Sequence, residues 1–411
     1  MKIAIWYNLP SGGAKRALHG HVRGLLERGH QVEAWCPPCC DFTYLPLAEM
    51  VPEHVVDFTI PPRTSWDKRL RIERAIAARV PPMIAHSQAC AAKINQGGFD
   101  VLFANTCMHF ASPFIGRYVT IPKVLYLQEP ARGYYEAAPR HAWLPPEPSR
   151  HAPPSLAWLR ERAAYLRRLR NAQVSAAAEL DNARAYDRIL VNSLYSRESV
   201  LRAYGLQSKV CYLGTKTDRG PLPLGPREPF FMGLGSFAPA KSLDLAIEAI
   251  ARLPAPRPKL IWVGNLDIDD SKARATARAA ELGVPFEALM RISDAALQDL
   301  LHRATALIYG PRLEPFGLAA IEAAASGLPV IGVAEAGLRE TVIDGVTGML
   351  VAATPQAIAA AAQRLLAEPE LAARLGQQAA RNARQTWSLD AANDRLEAAL
   401  RDVVAQAGRP A

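Results

Sequence analysis

The sequence predicts an α/β chain of two doubly wound, parallel-sheet domains facing each other across a cleft. Three observations carry this. The chain has 411 residues, too long for one ordinary core and suited to two domains of roughly 150–200 residues each. Its first 36 residues run strand, glycine loop, helix, strand, which is how a doubly wound sheet begins. The same rhythm starts again after a proline- and glycine-rich stretch at 214–229, a composition that marks a linker.

Taken in order, residues 2–7 form a short apolar strand and 8–13 a turn-rich loop containing Ser11, Gly12 and Gly13. Residues 14–28 have helical spacing, with Leu18, Val22, Leu25 and Leu26 on one face, and Gly29 ends the helix before a strand at 31–36. Further strands are expected at 55–60, 101–104, 124–128 and 188–191, a long loop over 129–155 and one long helix over 155–180. Beyond the linker come a strand at 230–234, a helix at 241–253, a strand at 259–263 and a helix near 271–282. Weaker elements lead to a helix at 294–302 and a strand at 306–309. A helix at 317–325 and a strand at 329–333 follow, and a strongly helical segment closes the pattern at 391–405. The expected division is an acceptor-side Rossmann-like domain at 1–214, a donor domain at 215–386, and a terminal helix at 387–411 packing back on the first domain.

Composition narrows the function. Half the residues are hydrophobic and 21% are charged, the balance of a globular enzyme rather than of a disordered or fibrous chain. No apolar run approaches the roughly 20 residues that span a bilayer, and the apolar start is too short for a signal-peptide core. A cytoplasmic protein is expected, with the inner face of the cytoplasmic membrane as a candidate peripheral location. The net charge of +9 is uneven. Residues 1–210 hold 27 Lys and Arg against 17 Asp and Glu, whereas residues 211–411 hold 21 against 22. That asymmetry points to an anionic partner for the first half. Arg63, Lys68, Arg69, Arg71, Arg74 and Arg79 form one basic stretch. Arg160, Arg162, Arg167, Arg168 and Arg170, interleaved with Leu156, Trp158, Leu159, Tyr165, Leu166 and Leu169, form another. The second suits an anionic membrane surface and equally a helix packed on its own domain. Nucleic acid is not expected, since no binding module is recognisable. Of the six cysteines, Cys36, Cys39 and Cys40 cluster, but one C-x-x-C without a second ligand pair reads as a reduced loop rather than a zinc site.

The stretch from Glu314 to Val351 carries the chemistry. Its core is Glu314-Pro315-Phe316-Gly317-Leu318-Ala319-Ala320-Ile321-Glu322. The pattern reads as a strand end, a carboxylate and a helix start, with Pro315 in the first turn. Backbone N–H groups of Phe316, Gly317 and Leu318 at such a start form an anion site suited to a diphosphate. Glu314 beside it can accept hydrogen bonds from sugar hydroxyls. Glu322 lies about two turns on, so it can hold a second polyol. Ribose, diphosphate and hexose in a nucleotide sugar have that layout. Each carboxylate taken alone also fits a helix-start acid or a solvated side chain.

The whole stretch, with Gly337, Glu340, Gly345 and Gly348 after it, resembles glycosyltransferase family 4, the retaining enzymes of GT-B fold within the glycosyl transferases group 1. The resemblance extends to Ile189 through Ser196 and to much of the chain from Phe230 onward. It implies that Glu314 contacts the transferred sugar, Glu322 the ribose, and Phe316 to Leu318 the sugar and phosphates. Arg291, in the segment 289–292, would flank the base. Lys241 matches the family's diphosphate lysine, and a cation there stabilises the leaving group. Gly12 and Gly13 resemble the family's glycine loop, which approaches the donor from the first domain. The resemblance implies no cofactor beyond the nucleotide-diphosphate sugar itself. No Asp-x-Asp motif stands in a fitting place for a metal. The implied acceptor is a sugar or lipid-linked hydroxyl, in a setting of cell-surface polysaccharide or glycolipid assembly.

Two departures stand out. Ser236 occupies the place of the family's diphosphate arginine, and Gln128 that of a histidine facing the acceptor. Gln cannot act as a base, so Gln128 is left to position a hydroxyl; His109 is another candidate for the cleft. A nucleotide-sugar epimerase or hydrolase of the same fold, or a non-catalytic relative, remains open on these residues. A dehydrogenase reading from Gly233-x-Gly235-x-x-Ala238 lacks the acid that the dinucleotide fingerprint requires.

Overall fold

The computed structural model describes residues 1–60, 76–136, 149–220, 222 and 227–408. The chain builds β1 (Lys2–Asn8), α1 (Gly13–Glu27), β2 (Gln31–Cys36), β3 (Glu53–Val55), α2 (Val80–Gln96), β4 (Val101–Cys107), β5 (Lys123–Gln128), α3 (Arg132–Tyr135), α4 (Leu156–Arg184), β6 (Arg188–Val191), α5 (Leu194–Tyr204) and β7 (Lys209–Val210). These seven strands form one parallel sheet in the order β3-β2-β1-β4-β5-β6-β7. A second parallel sheet follows, with β8 (Phe230–Leu234), α6 (Leu243–Ala251), β9 (Lys259–Gly264), α7 (Ser271–Glu281), β10 (Phe286–Met290), α8 (Asp294–Arg303), β11 (Ala306–Tyr309), α9 (Leu318–Ala325), β12 (Val330–Val333), α10 (Leu338–Thr341) and β13 (Gly348–Val351). Its order is β10-β9-β8-β11-β12-β13. The helices α11 (Pro355–Ala367), α12 (Pro369–Thr386) and α13 (Leu389–Ala407) end the described chain. Both sheets are Rossmann-like and doubly wound, and the two lobes face across a cleft.

The central strands are buried on both faces, as a parallel sheet covered by helices requires. Along β1, Ile3, Ile5 and Tyr7 enter one core, while Ala4 and Trp6 enter the other, the period of two that a strand imposes. Polar side chains set several helix starts: Ser155, Ser193, Ser293, Thr354 and Ser388 each accept a backbone N–H at an N-cap.

Among the described residues the chain passes between the lobes near Thr215 and again near Trp387, and these two segments touch. Thr215 N–H donates to the Trp387 carbonyl at 2.8 Å and Leu389 N–H to the Thr215 carbonyl at 3.1 Å. After this point α13 lies on α1 of the first lobe. A Cβ at Gly24 would fall 1.8 Å from Asn393 Nδ2, so only glycine permits this approach. Arg28 pairs with Asp394 at 2.6 Å, and His30 with Glu397 at 3.0 Å.

The structure differs from the sequence reading in places. The expected strand at 55–60 is instead β3, ending at Val55; Phe58 is buried in the core from a loop rather than from a strand. The helix expected from 241 begins at Leu243, because Ser242 takes a left-handed conformation (φ +56°) after a short turn at Pro239–Lys241. Pro315 is not in a first helical turn: α9 starts at Leu318, behind Gly317 at φ +90°. α2 falls where the sequence reading places no element; its Pro81 and Pro82 lie in the first turn, where proline is tolerated. Most of the basic stretch 63–79 lies outside the described residues.

Candidate functional site

In doubly wound sheets ligands bind beyond the strand C-termini, where the strand order reverses. Here both reversal points, β1/β4 and β8/β11, open onto the same cleft. A cavity of about 310 Å³ lies there. The first lobe contributes Ser11, Gly12, Gly13, Arg16 and Tyr44; the second contributes Gly235, Ser236, Lys241, Glu314, Leu318 and Glu322, among others.

Two helices begin at this cavity. α1 starts at Gly13, behind Gly12 at φ +148°, a conformation that disfavours any side chain. Gly13 lies across from α9: a Cβ there would be in ordinary contact with Leu318 Cδ2, at 3.5 Å. The opening N–H groups of α9, at Leu318 and Ala319, are among those without an intrahelical partner. Two helix starts together favour an anion.

The carboxylates are held by the second lobe. Lys241 Nζ lies 3.0 Å from Glu314 Oε2, and its stem runs alongside Gly235, whose φ of +151° is one that side chains rarely adopt. Glu314 is braced from behind: Gly337 N–H donates to the Glu314 carbonyl at 3.0 Å. A Cβ at Gly337 would lie 1.9 Å from the Pro315 carbonyl oxygen. Burial, with Glu314 alongside, keeps the Tyr309 hydroxyl well above the usual phenol range. Glu322 is 4% exposed and hydrogen bonds to Arg16 of the first lobe.

The structure therefore brings Gly12, Gly13, Ser236, Lys241, Glu314, Leu318 and Glu322 to one cavity. Phe316, Gly317, Arg291 and Gln128 do not line it. The Phe316 ring is buried against Tyr212 and Trp387. Gly317 supplies the turn before α9. Arg291 Nε donates to the Asn265 carbonyl at 3.2 Å, beside the lining residues Asn265 and Ile292. Gln128 ends β5 with φ +64°, a strained backbone for a non-glycine residue. His109 lies against Arg79 (3.3 Å) and Cys39 (3.7 Å). Burial, aided by Arg79, lowers its pKa to about 4. Among the described residues no group of three or more His, Cys, Asp or Glu is arranged to hold a metal ion.

Sequence reasoning missed Arg16, Tyr44 and Glu129. Arg16 Nε donates to the Tyr44 hydroxyl at 2.9 Å, so the loop after β2 reaches the cavity. Glu129 pairs with Arg132 at 2.7 Å, and Arg132 donates across the cleft to the Arg312 carbonyl at 3.2 Å. Burial raises the Glu129 pKa to about 7 despite Arg132, with Glu314 adding to the rise. Elsewhere along the cleft, Glu340 accepts the opening N–H groups of α5 from Leu194 (2.8 Å) and Tyr195 (3.0 Å).

Residues 214–382 match the family model described as glycosyl transferases group 1. A D-inositol 3-phosphate glycosyltransferase from Streptomyces avermitilis is 28% identical over 289 residues, 61% of this chain and 62% of that protein. One from Streptomyces bingchenggensis is 32% identical over 253 residues, 55% and 54% respectively. The chain thus spans less than two thirds of the length of these curated relatives. Among solved structures, a sucrose-phosphate synthase from Thermosynechococcus elongatus superposes with a TM-score of 0.74 at 19% identity, over 99% of this chain and 100% of that one. Anabaena HepE, solved in complex with UDP-glucose, gives 0.71 at 18% identity, over 98% and 100%. At such identities the likeness speaks to the fold. Residues 214–382 are thus similar to the glycosyl transferases group 1, within a chain whose fold is that of GT-B proteins.

Proposed function

We propose that the chain is a retaining, family 4-type glycosyltransferase that moves a sugar from a nucleotide-diphosphate sugar to a hydroxyl acceptor. The supporting observation is the convergence of Glu314, Glu322, Lys241 and two helix starts on one cavity. In this reading Glu322 accepts the ribose hydroxyls and Glu314 those of the transferred sugar. The diphosphate lies at the start of α9, where Lys241 offsets the charge that develops as it leaves. The anomeric carbon–phosphate oxygen bond breaks, and the acceptor oxygen bonds on the same face. The acceptor proton passes to the departing phosphate oxygen, so Gln128 has only to position a hydroxyl. With Lys241 and the helix starts facing the diphosphate, we read the reaction as metal-independent.

The acceptor we propose is a sugar or lipid-linked hydroxyl in polysaccharide or glycolipid assembly. The outer part of α4 supports an anionic membrane surface as a peripheral partner. Leu156, Leu159 and Leu166 are 64%, 49% and 60% exposed there, beside exposed Arg160, Arg162, Arg167, Arg168 and Arg170. No helix among the described residues is long and apolar enough to cross a membrane.

The UDP-glucose in HepE makes a UDP-sugar the first donor to try. Incubation with donor and an acceptor panel, followed by NMR of the products, is expected to show a new glycoside with the donor's anomeric configuration. An inverted linkage would remove the retaining assignment. Free sugar alone would indicate a hydrolase, and a changed donor sugar an epimerase.

A further inference from the structure

The cavity lining carries three carboxylates, Asp294, Glu314 and Glu322, and two cations among the described residues, Lys241 and Arg16. A diphosphate entering it needs positive charge, yet Lys241 already pairs with Glu314 and Ser236 offers only a hydroxyl. Nearby Arg219 does not line the cavity. Its donors go to the Lys216 carbonyl, the Thr215 hydroxyl and Gln298, at 3.0–3.3 Å. Arg16 is different. It stands in the first turn of α1, directly behind the Gly12–Gly13 loop, and its side chain remains 33% exposed. Nε is held by Tyr44 and one terminal nitrogen by Glu322. Its other N–H donors have no partner among the described residues.

We infer that Arg16 is the second diphosphate-binding cation of the site, supplied by the first lobe in place of a second-lobe arginine. The inference rests on the nucleotide-sugar reading above. A guanidinium presents a planar fork of donors that matches phosphate oxygens. Glu322 and Tyr44 hold that fork at the cavity before any ligand arrives, which lowers the ordering cost of binding. Arg16 occupies only Oε1 of Glu322, so ribose hydroxyls can take the other oxygen while the held guanidinium offers its remaining N–H donors to the phosphates. Because Arg16 and Lys241 come from opposite lobes, one diphosphate would then tie the two lobes together.

The test is calorimetric titration of the full-length protein with UDP, GDP and ADP and the matching monophosphates. Wild type, Arg16→Ala and Arg16→Lys would be compared, each checked for native folding by circular dichroism. The inference expects Arg16→Ala to weaken the bound diphosphate about tenfold or more, the scale of a lost charge-assisted contact. The matching monophosphate should lose less, so the preference for diphosphate shrinks. Arg16→Lys should recover part of that preference, since it keeps the charge without the fork. If Arg16 serves only to tie Glu322 down, its removal will shift both ligands alike, and an unchanged diphosphate preference overturns the inference while leaving the donor site standing. If wild type binds none of the diphosphates, both the inference and the nucleotide-sugar reading fail.

Discussion

At the residue scale, Glu179 shows how burial sets a pH dependence. It is 1% exposed and accepts hydrogen bonds from Ala111 N–H (3.2 Å) and the Tyr204 hydroxyl (3.1 Å). Burial raises its pKa from 4.5 to about 7. Between those values the folded protein keeps a proton that the unfolded chain has released, so stability falls as pH rises through this window. The contribution is on the order of 1–3 kcal/mol. Glu179→Gln keeps one carbonyl oxygen to accept from Ala111 N–H, turns an NH2 donor toward the Tyr204 hydroxyl oxygen as the protonated acid would, and removes the titration, so its melting temperature should vary less between pH 4.5 and 7 than that of wild type. Glu129 titrates in the same range, so the slope should shrink rather than vanish; an unaltered slope would mean that Glu179 does not titrate there. Gly337 offers a second case. A methyl group placed 1.9 Å from the Pro315 carbonyl must push the Glu314 loop aside. Gly337→Ala should cost roughly 1–3 kcal/mol in stability and weaken donor binding more than its loss of stability explains, measured by denaturant melts and titration on the same preparation.

At the element scale, α13 and α4 behave oppositely. α13 is locked to α1 through Gly24 and Asn393. The Asn393 side chain cannot easily yield, because it also bonds His21 at 3.0 Å in a buried setting. Gly24→Ala should therefore destabilise by about 2–3 kcal/mol through overpacking, read from urea denaturation; a loss near zero would show that the helix can slide. The outer half of α4 leaves its leucines in solvent. Changing Leu156, Leu159 and Leu166 together to Asp should leave the melting temperature nearly unchanged. It should also abolish co-sedimentation with phosphatidylglycerol vesicles, if wild type sediments with them and not with phosphatidylcholine vesicles alone. Equal sedimentation of variant and wild type would assign membrane contact elsewhere or to none.

At the scale of the whole molecule, the two sheets were legible because their strands are near-continuous apolar runs punctuated by glycine loops. Short edge strands such as Lys209–Val210 carry too few residues for a periodic signal, and Phe58 mimics a strand residue because a loop can also bury a ring. The spacing of Glu314 and Glu322 announces two carboxylates beside one helix, and the structure has both lining the cavity. Arg16 was not legible: an arginine in the first turn of a helix looks like any solvated side chain until the fold sets it against Glu322, 306 residues away. The same holds for Glu129, whose raised pKa depends on burial in the cleft and on Glu314 of the opposite lobe. The chemistry thus lies where two separately readable halves meet, which local patterns do not encode. The decisive measurement is calorimetric titration of wild type and Glu322→Ala with UDP-, GDP- and ADP-sugars. One donor should bind to wild type and be lost in the variant; no binding of any donor at millimolar concentration would contradict a nucleotide-sugar site in this cleft.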